Sequence, residues 1–275
     1  MLLVTTNSIT LSEVKCYAAS LERVVQVDIY HAAGLPTANS SLLILLDGQD
    51  LPAVHFNQWL TQAWRIDAYG PLVIAAIHAG SDRKMEYGVV GAPDYMGRGA
   101  KADLHALFIK DQLLQLLNDN LGINSFSSYS IAGFSLGGLT AFDLAWGQVL
   151  PFSRVGVFSG SLWWRSVDQD DPIYQDSKHR IIHQKVQQTI CNNPQLRFFF
   201  QCGGLDENND RNKNGIIDSI DDTVDLLHGL EQKGFIKGEQ LAYLEIPTGK
   251  HNLETWLEAM PHFFEWGWSN KVRNA

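Results

Sequence analysis

The sequence predicts an α/β fold, with a mostly parallel central sheet covered by helices on both faces and an N-terminal antiparallel hairpin. Three observations carry that expectation. Two short runs, Ser41-Leu42-Leu43-Ile44-Leu45-Leu46 and Leu72-Val73-Ile74-Ala75-Ala76-Ile77, are almost wholly apolar, as strands buried on both faces must be. Runs of this kind alternate with helical patterns through the rest of the chain. Between one strand and one helix lies Gly133-Phe134-Ser135-Leu136-Gly137, a G-x-S-x-G turn that places a serine at the top of such a sheet.

The elements follow in order. Residues 8–30 alternate loosely (Val14 to Tyr17, then Val24 to Tyr30) and read as the hairpin. The runs at 41–46 and 72–77 are strands, and the second leads into a long polar loop, 78–99. Residues 101–119 read as an amphipathic helix whose buried stripe is Leu104, Leu107, Phe108, Leu113, Leu114 and Leu117. Ser128 to Ala132 is a short strand, and Leu136 to Trp146 a helix with apolar residues at helical spacing. Further strands are expected at 155–158, 196–200 and 241–246, and further helices at 220–232 and 253–267. The chain has 275 residues, 45% hydrophobic, with no internal repeat or long linker, so a single domain over 1–275 is expected.

A serine hydroxyl is a weak nucleophile until a base takes its proton, and the base needs a third group to fix its tautomer. When a serine sits on a strand-to-helix elbow, those partners follow it in the order acid, then histidine. Asp206 follows the strand at 196–200 after a Gly203-Gly204 turn, and His251 follows the strand at 241–246. Reactive groups collect beyond the carboxyl ends of such strands. Ser135, Asp206 and His251 are therefore the expected triad, with Glu207 the rival acid. His78 precedes the serine and can only line the pocket. His55, His105, His179, His183 and His228 fall on or beside helices, with surface or packing roles. The tetrahedral oxyanion needs two donors. One is the Leu136 N–H; the other is placed in Asp47-Gly48-Gln49-Asp50, at the Gln49 amide or else at Gly48.

A set of motifs now resembles one family. Leu46-Asp47-Gly48-Gln49-Asp50, Arg83 with Glu86-Tyr87, Gly97-Arg98-Gly99, the elbow, Ser159-Gly160-Ser161-Leu162-Trp163-Trp164 and Gly249-Lys250-His251-Asn252 are similar to those of the esterase D and enterochelin esterase-like α/β-hydrolases. That group includes S-formylglutathione hydrolases and feruloyl esterases. The resemblance runs from about residue 20 to 268. It implies the α/β-hydrolase fold and a carboxylic-ester hydrolase with Ser135, Asp206 and His251 as triad. It further implies that Arg83 and Glu86 lie near the site, or else form a structural ion pair. Trp163 and Trp164 look like a wall of the substrate pocket, or else two aromatics packed under a loop.

The chain carries 21 basic and 30 acidic residues, a net charge of −9, which argues against nucleic acid as a partner. Residues 206–225 hold seven acids and two bases, more than half of that excess in one segment. Within it, the twelve residues from Asp210 to Asp221 fit a calcium loop. Asp210, Asn212, Asn214, Asp218 and Asp221 supply side-chain oxygens, Ile216 a carbonyl, and Gly215 the sharp turn. Asp221 replaces the usual glutamate, a departure resembling dockerin loops, and no entering helix precedes the loop. The alternative is a solvated turn capping the next helix. No cofactor is expected for catalysis, and a Ca²⁺ ion here would be structural, stiffening the loop that carries Asp206.

No apolar run is long enough to cross a membrane, and residues 1–7 lack the features of a signal peptide. Three scattered cysteines, Cys16, Cys191 and Cys202, are read as reduced thiols of a cytoplasmic protein. The expected activity is hydrolysis of a small-molecule ester through an acyl-enzyme. Acyl transfer to an alcohol or sugar, and a non-catalytic binding protein of the same fold, are the alternatives. Sequence leaves the acyl and alcohol groups and the oligomeric state open.

Overall fold

A computed structural model of the chain describes residues 8–32, 34, 38–64 and 66–269; the opening residues 1–7 lie outside it. The strands are β1 (Ile9–Ala18), β2 (Arg23–Ala32), β3 (Ser41–Leu46), β4 (Leu72–Ile77), β5 (Ser128–Phe134), β6 (Phe152–Phe158), β7 (Arg197–Leu205) and β8 (Leu241–Lys250). They form one sheet in the order β1-β2-β4-β3-β5-β6-β7-β8. β1 and β2 pair antiparallel, as do β2 and β4, and every other pairing is parallel. This is the α/β-hydrolase fold with its N-terminal antiparallel hairpin.

The apolar runs are explained by burial on both sides of the pleat. Leu42, Ile44 and Leu46 face one core with Val73, Ala75 and Ile77, while Leu43 and Leu45 face the other with Leu72, Ile74 and Ala76. Phe108, Leu113 and Leu117, Phe142 of the elbow helix Leu136–Trp146, and Leu226 and Leu230 of the helix Asp218–Gln232 cover the first face. Phe56 and Leu60, with Trp256, Met260 and Phe264 of the closing helix Leu253–Trp268, cover the second. Every residue of the elbow helix is buried, so it lies inside the molecule rather than on its surface.

Two expectations change. The helix from Ala102 to Leu121 contains a π-helical stretch, Phe108–Leu113. The buried stripe of its first turns runs through Ala102, His105, Ala106 and Ile109, so Leu107, expected in the stripe, is 43% exposed. The strands β7 and β8 also run on well past 200 and 246. Gly203 and Gly204, expected as a turn, are strand residues, and the pairing continues through a register shift to Leu205 opposite Lys250. A Cβ on Gly203 would stand 2.5 Å from the Gly249 carbonyl oxygen, and one on Gly204 would stand 2.4 Å from that of Pro247. Only glycine lets the two backbones close this far.

All three cysteines are free thiols. Among the described residues no helix is long and apolar enough to cross a membrane. Two histidines are walled into the core. His105 is 1% exposed, neither ring nitrogen has a hydrogen-bond partner, and its ring tilts against Tyr87 at 5.1 Å. Burial pushes its pKa down to about 4, and that of His183 down to about 3. The folded protein thus takes up these protons less readily than the unfolded chain. Stability is whole above pH 6.5, the ordinary histidine value, and declines as pH falls from there toward 4. Each histidine contributes a slope of up to about 1.4 kcal/mol per pH unit. Urea unfolding of wild type and His105→Phe across pH 4–7 checks this: the variant loses its share of the slope, and equal slopes refute it.

Candidate active site

Ser135 is the first residue to understand, because its backbone is in a place serine avoids. It has φ 54° and ψ −120°, a left-handed conformation that costs on the order of 1–3 kcal/mol. The turn exists because β5 enters the elbow helix with no room to spare: a Cβ on Gly133 would lie 2.4 Å from the Gly137 carbonyl. The strained residue is held from β6 and the loop beyond it. Its N–H donates to the Phe158 carbonyl (2.8 Å), and its own carbonyl accepts the Ser161 N–H (3.0 Å). The side chain is left partly accessible beyond the carboxyl end of β5. Ser135 Oγ lies 3.4 Å from Ser161 Oγ.

Asp206 and His251 leave the tips of β7 and β8. His251 sits between Lys250, the last residue of β8, and Asn252, whose side chain caps the closing helix by accepting the Thr255 N–H (3.0 Å). The Lys250 N–H donates to the Thr255 hydroxyl (2.9 Å), which fixes the corner. His251 Nδ1 is 4.0 Å from Asp206 Oδ1. The Asp206 side chain is only 1% exposed; Oδ2 accepts the Gly203 N–H (2.9 Å), and Oδ1 has no hydrogen-bond partner. A buried carboxylate oxygen without a donor is costly, and the imidazole is the donor it faces. Glu207 turns elsewhere, accepting the Ser219 N–H (2.7 Å) in the first turn of the helix Asp218–Gln232. Trp256 links His251 to the elbow strand. Its ring meets His251 edge-on at 5.3 Å, stacks on Phe134 at 4.7 Å, and donates Nε1–H to Ser159 Oγ (3.0 Å).

Leu136 and Gln49 each lie in the first turn of a helical segment, where N–H groups have no acceptor one turn back. The Gln49 side chain is occupied: Oε1 accepts the Ala79 N–H (2.8 Å), and Nε2 donates to Asp47 and Asp50 (both 3.2 Å). Gly48 is pressed against β4, since a Cβ there would sit 2.7 Å from the Ala76 carbonyl oxygen. Arg83 makes a two-pronged bond to Asp47, both contacts 2.6 Å, and so ties the loop after β4 to the loop after β3. Glu86 pairs with Arg23 instead (2.6 and 2.7 Å), so the expected Arg83–Glu86 ion pair is replaced by two separate ones. A partly buried pair next to Gly48, His78 Nε2 with Asp28 Oδ2 at 2.8 Å, leaves no trace in the sequence because its members are fifty residues apart.

The two tryptophans part company. Trp164 is fully buried, with Nε1–H on the Ala92 carbonyl (3.1 Å), so it lies beneath the loop rather than on a pocket wall. Trp163 is half-buried, between the guanidinium groups of Arg98 (5.0 Å) and Arg165 (5.6 Å).

In the 210–221 loop the side chains of Asp210, Asn212, Asn214 and Asp221 form one hydrogen-bonded group. Asp210 accepts the N–H groups of Asn214 (3.1 Å) and Gly215 (2.8 Å), while Asn212 and Asn214 both donate to Asp221 Oδ2 (2.8 Å). Asp218 stands apart and accepts from the Arg211 backbone (2.9 Å) and guanidinium (3.2 Å). Arg211 also binds Asp176 and Asp222, so the expected cation position 9 is neutralised from within the chain. Among the described residues no three His, Cys, Asp or Glu side chains gather as a metal site. The donors that fit a hard cation are two carboxylates and two amides.

A strained serine between strand and buried helix, with an acid and a histidine on later strand tips, is the arrangement that serine hydrolases of this fold require. Residues 18–266 match the family described as "Putative esterase", and the chain belongs to that family of esterases. Among solved structures, it resembles the enterobactin esterase of Shigella flexneri with enterobactin present (TM-score 0.67, 18% identity), covering 93% of this chain and 57% of that one. This chain thus spans less than two thirds of that enzyme. It also resembles the siderophore hydrolase EstB of Aspergillus nidulans (0.66, 16%, 96% of each chain). A ferulic acid esterase is similar as well (0.66, 13%, 94% and 97%). No curated protein matches.

The His251 imidazole has its pKa lowered, chiefly by partial desolvation, with the Arg83 charge adding to this and Asp206 opposing it. Histidine NMR titration therefore places His251 below 6.5, and Arg83→Met moves it upward by removing a nearby cation; a downward or absent change overturns the assignment of cause.

Proposed function

We propose that this esterase hydrolyses small-molecule carboxylic esters through an acyl-enzyme on Ser135. The observation that carries the reading is the pairing of a strained, accessible Ser135 with an Asp206 carboxylate whose free oxygen faces His251 across adjacent strand tips. His251 takes the Ser135 proton as the hydroxyl oxygen attacks the ester carbonyl, and Asp206 holds the imidazole tautomer. The oxyanion rests on the N–H groups of Leu136 and Gln49. Arg83 and Trp163 border the substrate. His251 passes its proton to the departing alcohol, and water then enters by the same base to release the acid and restore Ser135. Catalysis needs no cofactor.

The relatives named for siderophores and ferulic acid give a first choice of acyl groups. A panel of p-nitrophenyl esters of rising chain length, together with catecholate and feruloyl esters, therefore forms the assay. Ser135→Ala and Asp206→Asn are expected to lower kcat by at least roughly a thousandfold. Full activity in Ser135→Ala refutes the mechanism, and ester products formed on added alcohols would reassign the enzyme as a transferase.

The loop from Asp210 to Asp221 is proposed as a structural Ca²⁺ site held by Asp210, Asn212, Asn214, Asp221 and the Ile216 carbonyl. Asp218 joins only by releasing Arg211. The two asparagines at present offer amide hydrogens to Asp221; a half-turn of each offers oxygens to a cation instead. Calcium at a hundredfold excess over its Kd is expected to raise Tm by about 5 °C over chelator-treated protein. The increment vanishes in Asp210→Ala, and identical Tm and esterase rate with and without the ion remove the site.

A further inference from the structure

The turn after β6, Ser159-Gly160-Ser161, grips both halves of the site, yet the triad assigns it no part. Ser159 has φ 43° and is 2% exposed; its N–H donates to the Gln201 carbonyl (2.8 Å) and its hydroxyl accepts from Trp256, the ring beneath His251. Ser161 is 5% exposed and is bonded through its N–H to the Ser135 carbonyl. The turn also packs against the elbow: a Cβ on Gly138 would lie 3.2 Å from Gly160 Cα. These main-chain links leave the Ser161 hydroxyl little freedom, and Ser135 Oγ, at 3.4 Å, is its one side-chain partner among the described residues.

We propose that Ser161 is a positioning residue whose hydroxyl donates a hydrogen bond to Ser135 Oγ, turning the Ser135 proton toward His251. The inference rests on Ser135 being the nucleophile. At rest the contact is long for two neutral hydroxyls, which prefer roughly 2.7–2.8 Å. A hydroxyl bound to an anionic oxygen contracts to about 2.5–2.7 Å and grows stronger. The bond therefore tightens when Ser135 Oγ carries charge, and an interaction stronger in the transition state than in the ground state lowers the barrier.

Charge appears on that oxygen twice. In acylation the Oγ–H bond breaks toward His251 as the Oγ–C bond forms, and the expelled alkoxide takes the proton. In deacylation a water gives its proton to His251 and its oxygen to the carbonyl carbon. The Oγ–C bond then breaks, and Oγ recovers the proton from His251. Ser161 keeps its own proton throughout, so it adds no step to the balance.

The experiment compares Ser161→Ala and Ser161→Cys with wild type and Ser135→Ala, measuring kcat, KM, the pH profile of kcat/KM, and Tm. Cysteine fills the space of serine but is a poor donor. Both Ser161 variants are expected to lower kcat about tenfold with KM within twofold, because only the charged states lose a partner. The acid limb of the pH profile stays in place, since His251 is untouched. The Cys variant keeps the wild-type Tm, which separates donation from packing. Wild-type kcat in the Cys variant, or kcat within twofold in Ala while Ser135→Ala is inactive, overturns the proposal. Activity surviving in Ser135→Ala instead brings down the nucleophile assignment, and this inference with it.

Discussion

One backbone conformation organises the upper half of this molecule. A serine at positive φ is stable only where its neighbours over-determine it, and here they do so through main-chain bonds rather than side chains. The Phe158 carbonyl and the Ser161 N–H fix it from one side; the Gly133-to-Gly137 approach fixes it from the other. Below it, β5 is buried among parallel neighbours and the elbow helix is buried on every side. A mobile base could not support that geometry, and the helix that follows the strained serine is buried along its whole length. The result is an oxygen lifted clear of the sheet with the first N–H of a helix next to it.

The second half of the site solves a different problem, that of aiming a carboxyl group that is nearly hidden from water. Asp206 obtains one backbone donor and leaves its other oxygen for His251. His251 is braced by aromatic packing on Trp256 and by the cap of the closing helix. Arg83 serves both halves, since it clamps the loop after β3 through Asp47 and its charge reaches His251.

The sequence made the skeleton readable wherever burial leaves a periodic trace. Strands at 41–46 and 72–77 are uninterrupted because both faces are covered, and the elbow announces itself because only glycine tolerates the approach between its strand and helix. The order Ser135, Asp206, His251 then follows from chain topology. What stayed hidden depends on contacts between distant segments. Gly203-Gly204 looks like a turn in one dimension and is a close pairing of two strands in three. Leu107 lies off the stripe of Ala102, His105, Ala106 and Ile109, which only the packing of the helix on the sheet selects. Arg83 and Glu86 share a short helix yet find separate partners at Asp47 and Arg23. Trp163 and Trp164 are identical letters, yet the first is half-buried and the second wholly buried beneath the loop. Ser161 and Trp256 touch the site through the tertiary fold alone.

The run-on of β7 and β8 has a mechanical meaning. Asp206 and His251 ride on the ends of two strands still pairing at Leu205 and Lys250, with glycines holding the backbones in contact. The two groups are therefore carried by a single stiff ribbon and not by two independent loops. The ribbon therefore sets the spacing of Asp206 and His251 from within, separately from their distance to Ser135. For the proposed mechanism, that leaves one distance to adjust, the one between ribbon and elbow.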